Sequence, residues 1–157
     1  MKPMILGIDP GLANTGWAVL ENEERVVDSG CLVTKSSDDS GKRLEFIYSE
    51  LEKIIKKYKV ETISIESLFF AKNAKSALPV AEAIGVIKVC GLKNGCEVRL
   101  FTPLQIKMAL VGYGRAEKEQ VEQMVRQQLK LPEKVNISHE SDAMAAALTE
   151  IFTMKSL

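Results

Sequence analysis

Four residues are spaced and placed so that together they could hold a metal ion. Asp9 follows the apolar run Met4–Ile8, and Glu66 follows the alternating stretch Glu61–Ile65. A carboxylate ending a strand that points into a core is costly to bury unless a cation or hydrogen-bond donors meet it. Asp9 could instead bond the amides of its own Asp-Pro-Gly turn, and Glu66 could face water from an edge strand. The third feature is Ser138-His139-Glu140-Ser141-Asp142. His139 and Asp142 are three apart, so on a helix they share a face. In the first turn of a helix the dipole favours a neutral imidazole and an ionised carboxylate, both competent as ligands. Taken alone, Asp142 could simply complement that dipole, with His139 a surface residue. Combined, the four give three carboxylates and one imidazole. That donor set suits hard Mg²⁺ or Mn²⁺, with the nitrogen tilting it toward Mn²⁺. A pair of such ions about 3.5–4 Å apart can activate water and stabilise a leaving oxygen in phosphoryl transfer.

A second chemistry-bearing segment lies beside Glu66. Phe69 and Phe70 are consecutive rings followed by Lys72 and Lys75. This pattern suits stacking on an unpaired base next to phosphate contacts, although core packing accounts equally for one of the rings.

The elements that must position these residues follow from periodicity and turn chemistry. Residues 4–9 and 15–20 read as strands separated by the Asp9-Pro10-Gly11 turn, and 25–33 as a third, together an antiparallel meander. Leu44, Ile47, Leu51, Ile54 and Tyr58 recur at helical spacing, and 61–66 alternates with the period of a strand. A helix over about 74–93 carries apolar residues on more than one stripe, which places it either in a monomer's centre or between the sheet and a partner subunit. Residues 97–101 read as a fifth strand. Thr102-Pro103-Leu104-Gln105 is a helix start with a capping box, and further helices are expected at about 116–130 and 139–154. The order predicts an α/β domain spanning 1–157, with a mixed five-stranded sheet and helices on both faces. Because a crossover helix precedes it, the strand ending in Glu66 should run parallel to the one ending in Asp9. The two carboxylates would then meet at the end where such sheets bind ligands.

Composition narrows the class. At 157 residues the chain is long enough for one core. No apolar run approaches a membrane span, and Met1–Gly11 has no signal-peptide pattern, so no membrane partner and a cytoplasmic location are expected. Cys31, Cys90 and Cys96 lack zinc-site spacing and are expected to be reduced thiols. The net charge of zero gives no global sign of a nucleic-acid partner, so any basic surface must be local.

With these residues in hand, the chain resembles the RuvC family of Holliday-junction resolvases. The resemblance runs in family order from about residue 4 to 150. It is carried by Gly7-Ile8-Asp9-Pro10-Gly11 with Thr15-Gly16, then Ile65-Glu66 with Phe69, Ala71-Lys72-Asn73 and Ser76-Ala77. It continues through Gln105-Ile106-Lys107, Gly112–Ala116, Lys118–Val121 and His139–Ala143. It implies an RNase H-like fold, a homodimer, and paired metal-dependent nicks in four-way junction DNA that leave 5′-phosphate and 3′-hydroxyl ends. Asp9, Glu66 and Asp142 fall on the family's metal-binding carboxylates, and two Mg²⁺ ions per site are implied. His139 stands where many members carry a further Asp. Phe69 falls at the junction centre, Lys107 and Lys118 fall near the scissile phosphate, and Lys72 and Arg115 fall among DNA contacts or solvated surface charges. A RuvA–RuvB branch-migration complex is the implied partner. Other readings are an actin-like ATPase or sugar kinase, which needs two such domains, an RNA-processing nuclease of the same fold, and a non-catalytic DNA-binding relative, which would be expected to lack one of the four acidic or His positions.

Overall fold

The computed structural model describes residues 2–67, 74–132 and 137–156. Five strands form one sheet, β1 (Met4–Asp9), β2 (Asn14–Asn22), β3 (Arg25–Val33), β4 (Val60–Glu66) and β5 (Glu97–Phe101), in the order β3-β2-β1-β4-β5. The first three strands are antiparallel, whereas β4 pairs parallel with β1 and β5 parallel with β4. The meander and the parallel return of β4 are as the sequence predicts. Helix α1 (Ser40–Tyr58) makes the crossover, capped by Asp39, whose carboxylate accepts from the Lys42 amide at 2.8 Å.

Each strand alternates its side chains between two cores. Leu6, Ile8, Val19, Ile63 and Ile65 face α1 and α2 (Ala74–Lys93), where they meet Ile47, Leu51, Ile84 and Ile87. Ile5, Ala18, Leu20 and Phe101 face the opposite layer, built from α3 (Pro103–Leu110), α4 (Lys118–Gln128) and α5 (Ser138–Lys155). Helix α5 is the central element of that layer, and its Ala143–Ile151 stretch is wholly buried across β1, β2 and β4.

The predicted capping box at α3 is present. The Thr102 hydroxyl accepts from the Gln105 amide at 3.1 Å, and the Gln105 side chain accepts from the Thr102 amide at 2.9 Å. At the start of α4 the Gln120 side chain accepts from the Glu117 amide at 2.8 Å, a contact that sequence reasoning did not anticipate. Helix α2 matches its predicted range and contains Pro79 near its start. It buries Ala83, Ile84, Ile87 and Cys90 while leaving Leu78, Val89 and Leu92 exposed. The three cysteines are free thiols, and no helix among the described residues is long and apolar enough to cross a membrane.

Candidate metal and DNA-cleavage site

The parallel register of β1 and β4 brings the first two carboxylates together. Ile8 is opposite Ile65, and one further step puts Asp9 opposite Glu66, at the carboxyl ends of adjacent strands. Helix α5 crosses above them and supplies Asp142 from its second turn. Asp9, Glu66 and Asp142 each offer a carboxylate oxygen, and these oxygens all lie within 4.8 Å of one another. Among the described residues this is the one cluster of potential metal ligands so arranged. His139 lies at its margin, half-exposed, with Nδ1 3.9 Å from an Asp9 oxygen. The structure therefore brings the three acids together and places His139 beside Asp9, close enough to Asp142 to act on its charge as well.

The electrostatics show strain. The Asp9 carboxyl is raised to about 6, chiefly by burial and then by the nearby Asp142 carboxylate, against the lowering effect of His139 and Lys118. Glu66 rises to about 7, chiefly through burial, then through repulsion from Asp9 and Asp142, against the lowering effect of Lys118 and Lys107. Asp142 is also raised by burial, although Lys118 forms an ion pair with it at 3.5 Å and opposes the shift. Burial thus works against the ionised form of Asp142, opposite in sense to the helix dipole. Three carboxyls that resist carrying charge together in a partly dry site are suited to a cation that meets them.

A cleft of about 200 Å³ opens at the Glu66 and Asp142 side of the cluster, lined by these two with Lys107 and Lys118, and with Pro103, Ile106, Val121 and Ala145 as its apolar floor and wall. Helix α3, started by its capping box, carries Lys107 at this cleft, and α4 carries Lys118. Sequence reasoning did not single out the apolar lining formed by Ile106 and Val121. It also missed the Lys118–Asp142 contact, which depends on how α4 packs against α5. Arg115 is exposed in the turn between α3 and α4 and does not line the cleft. Phe69 and Lys72 lie outside the described residues.

The sheet order, with an antiparallel meander, a parallel return and acids at the strand ends beneath a helix, defines an RNase H-like protein with an acidic cleft. Comparison with known proteins narrows this class. The model of the family described as crossover junction endodeoxyribonuclease RuvC matches residues 5–150. A relative of that name from Ruminiclostridium cellulolyticum is 45% identical over 148 residues, covering 92% of this chain and 89% of its own. Another, from Fusobacterium nucleatum, is 41% identical over 155 residues, covering 97% of this chain and 82% of its own. The solved structure of Thermus thermophilus RuvC in complex with Holliday junction substrate superposes with a TM-score of 0.92 at 30% identity, covering 98% of this chain and 96% of that one. The chain belongs to the RuvC family of crossover junction endodeoxyribonucleases.

Proposed function

We propose that this chain resolves Holliday junctions as a divalent-metal-dependent endonuclease, cutting one phosphodiester per protomer of a homodimer and leaving 5′-phosphate and 3′-hydroxyl ends. The observation that carries this reading is the convergence of Asp9, Glu66 and Asp142 within 4.8 Å under a cleft walled by Lys107 and Lys118. The family match and the Thermus thermophilus RuvC–junction complex support the choice of substrate.

The donor set fits Mg²⁺, with Mn²⁺ able to substitute. All three ligands are hard oxygens, and burial disfavours the charge on each of them, a penalty that a bound cation would relieve. Asp9, Glu66 and Asp142 would hold the ions, two per site. When bound, these ions supply positive charge for the phosphate oxygens and acidify the attacking water. The protein's own groups do the rest. Lys107 and Lys118 hold the scissile phosphate and screen its charge, and His139 orients the water from beside Asp9. The apolar floor at Ile106 and Val121 keeps bulk water from the charged cluster. Phe69, Lys72 and Arg115 contact the junction away from the cut.

Homodimerisation is supported by α2, whose inner face is buried while Leu78, Val89 and Leu92 stand exposed on the outer one. With each protomer carrying one cleft, a two-fold dimer would present two sites to opposing strands. RuvA and RuvB are the proposed partners that deliver the junction, and one nuclease domain spans residues 1–157.

The proposal is tested by comparing cleavage of a four-way junction, a linear duplex of the same sequence and an RNA–DNA hybrid. Preferential cutting of the junction is expected, with Asp9→Asn reducing the rate at least about 1,000-fold. Cleavage of the three substrates at equal rates would contradict junction specificity, and near wild-type cutting by Asp9→Asn would remove Asp9 from the chemistry.

A further inference from the structure

The face of the sheet beneath α5 carries small residues next to the acids. One row across it is Ala18, Gly7 and Ser64, and the next toward the cleft is Gly16, Asp9 and Glu66. Helix α5 rests on these rows with its backbone as well as its side chains. A Cβ placed on Gly7 would lie 1.9 Å from the Ala143 carbonyl oxygen and 2.9 Å from the Ala147 Cβ. One placed on Gly16 would lie 2.2 Å from the His139 carbonyl oxygen. Between β4 and the helix, the buried Ser64 hydroxyl donates to the Ala146 carbonyl at 2.6 Å. The contacts fall on His139, Ala143 and Ala146, about one per turn, and they bracket Asp142.

Chemistry makes this spacing matter. An aspartate reaches only one methylene beyond its Cα, so Asp9 and Asp142 can share an ion only if strand and helix backbones are close. A helix lifted by an ordinary side chain on β1 would carry Asp142 away from the other two acids. The Ser64 bond fixes the third direction, sliding of α5 along the sheet. The Ala146 carbonyl sits inside a helix and has its own intrahelical partner, so the Ser64 bond adds location and is not needed to satisfy the helix.

We propose that Gly7, Gly16 and Ser64 are positioning residues for the metal site: they set the height and registration of α5 over the sheet, and so the separation of Asp142 from Asp9 and Glu66. This rests on the reading of those three acids as metal ligands. Gly7→Ala requires α5 to withdraw by about 1 Å to relieve the 1.9 Å approach, a displacement of the size that disables preorganised sites. Ser64→Ala leaves the space unfilled and removes only the tether.

The test is Mn²⁺ titration calorimetry without DNA, alongside thermal melts, on wild type, Asp9→Asn, Ser64→Ala, Gly7→Ala and Val125→Ala. Val125 is fully buried in α4 in the same core and does not line the cleft, so its variant is a destabilised control whose change lies outside the seam between α5 and the sheet. Loss of a group that orients ligands weakens metal binding by about 10- to 100-fold. Ser64→Ala should fall near the lower figure and Gly7→Ala near the upper, while Val125→Ala should bind within about twofold of wild type despite a lower melting temperature. Should Gly7→Ala fail to fold, the comparison of Ser64→Ala with Val125→Ala decides. Equal affinities in Ser64→Ala and wild type, or equal weakening in Ser64→Ala and Val125→Ala, overturn the positioning role. A wild-type protein that takes up no Mn²⁺, or takes it up undiminished in Asp9→Asn, overturns the metal site itself.

Discussion

The acids of the cleft should make the metal-free protein less stable than it could be. In the folded state the Asp9 carboxyl sits at about 6 and Glu66 at about 7, against 3.8 and 4.5 for the ordinary groups. Both folded values are raised, so the folded state binds more protons than the unfolded one between roughly pH 4 and 7. Their contribution is fully present below the unfolded values and is lost as pH rises through the folded ones. Asp9→Asn should therefore raise metal-free stability at pH 7.5 by on the order of 1–3 kcal/mol and leave little difference at pH 4, as measured by urea unfolding at both values. A variant less stable than wild type at pH 7.5 would contradict this.

Lys118 acts in the opposite direction on all three acids. Since metal ligands must be deprotonated, Lys118→Met should shift the pH dependence of Mn²⁺ binding toward alkaline pH. An unchanged profile would remove Lys118 from the electrostatics of the site. At this scale the sequence was legible where position along a strand is decisive, at Asp9 and Glu66. It was not legible where packing decides, as at Lys118, or where burial competes with a helix end, as at Asp142.

At the scale of elements, local signals and tertiary packing agree in most places. The apolar run of β1, the alternation in β4, the spacing of α1 and the Thr102–Gln105 box all predicted what formed, because each is encoded within a few residues. Thr102→Ala should cost about 1 kcal/mol in a thermal or chemical melt and loosen Lys107, which α3 carries. The contact between edge strand β5 and α5 was not legible. Arg99 reaches across to Glu150, with its Nε 2.9 Å from the carboxylate. The Glu150 side chain is 2% exposed, and its second oxygen has no hydrogen-bond partner. Neither residue's neighbours in sequence announce the other. Arg99→Met leaves a carboxyl stranded in the core and should destabilise by about 3 kcal/mol, whereas the double replacement Arg99→Met with Glu150→Leu should recover most of that loss. Equal losses in the single and double variants would show that the ion pair is not what matters there.

For the whole molecule, a neutral net charge coexists with two lysines, Lys107 and Lys118, that line the cleft beside its acids. The total conceals the local field, because the acids that would hold metal cancel the bases that would meet phosphate. The surface proposed to pair chains was only half legible: the apolar excess of α2 was evident in the sequence, but its division into a buried inner face and an exposed outer one required the fold. Leu92→Glu, placed on that outer face, should shift a sedimenting dimer to monomer and reduce paired cutting before it reduces metal binding.

The account is tested most directly by cleavage of a four-way junction with Mg²⁺ or Mn²⁺, mapped to the nucleotide, for wild type and Asp142→Asn. It predicts metal-dependent nicks placed symmetrically on two opposing strands by the wild type, with 5′-phosphate ends, and a loss of at least about 1,000-fold in the variant. Cutting that persists in chelator, or that survives Asp142→Asn at the wild-type rate, would show that the three carboxylates are not the centre of the reaction.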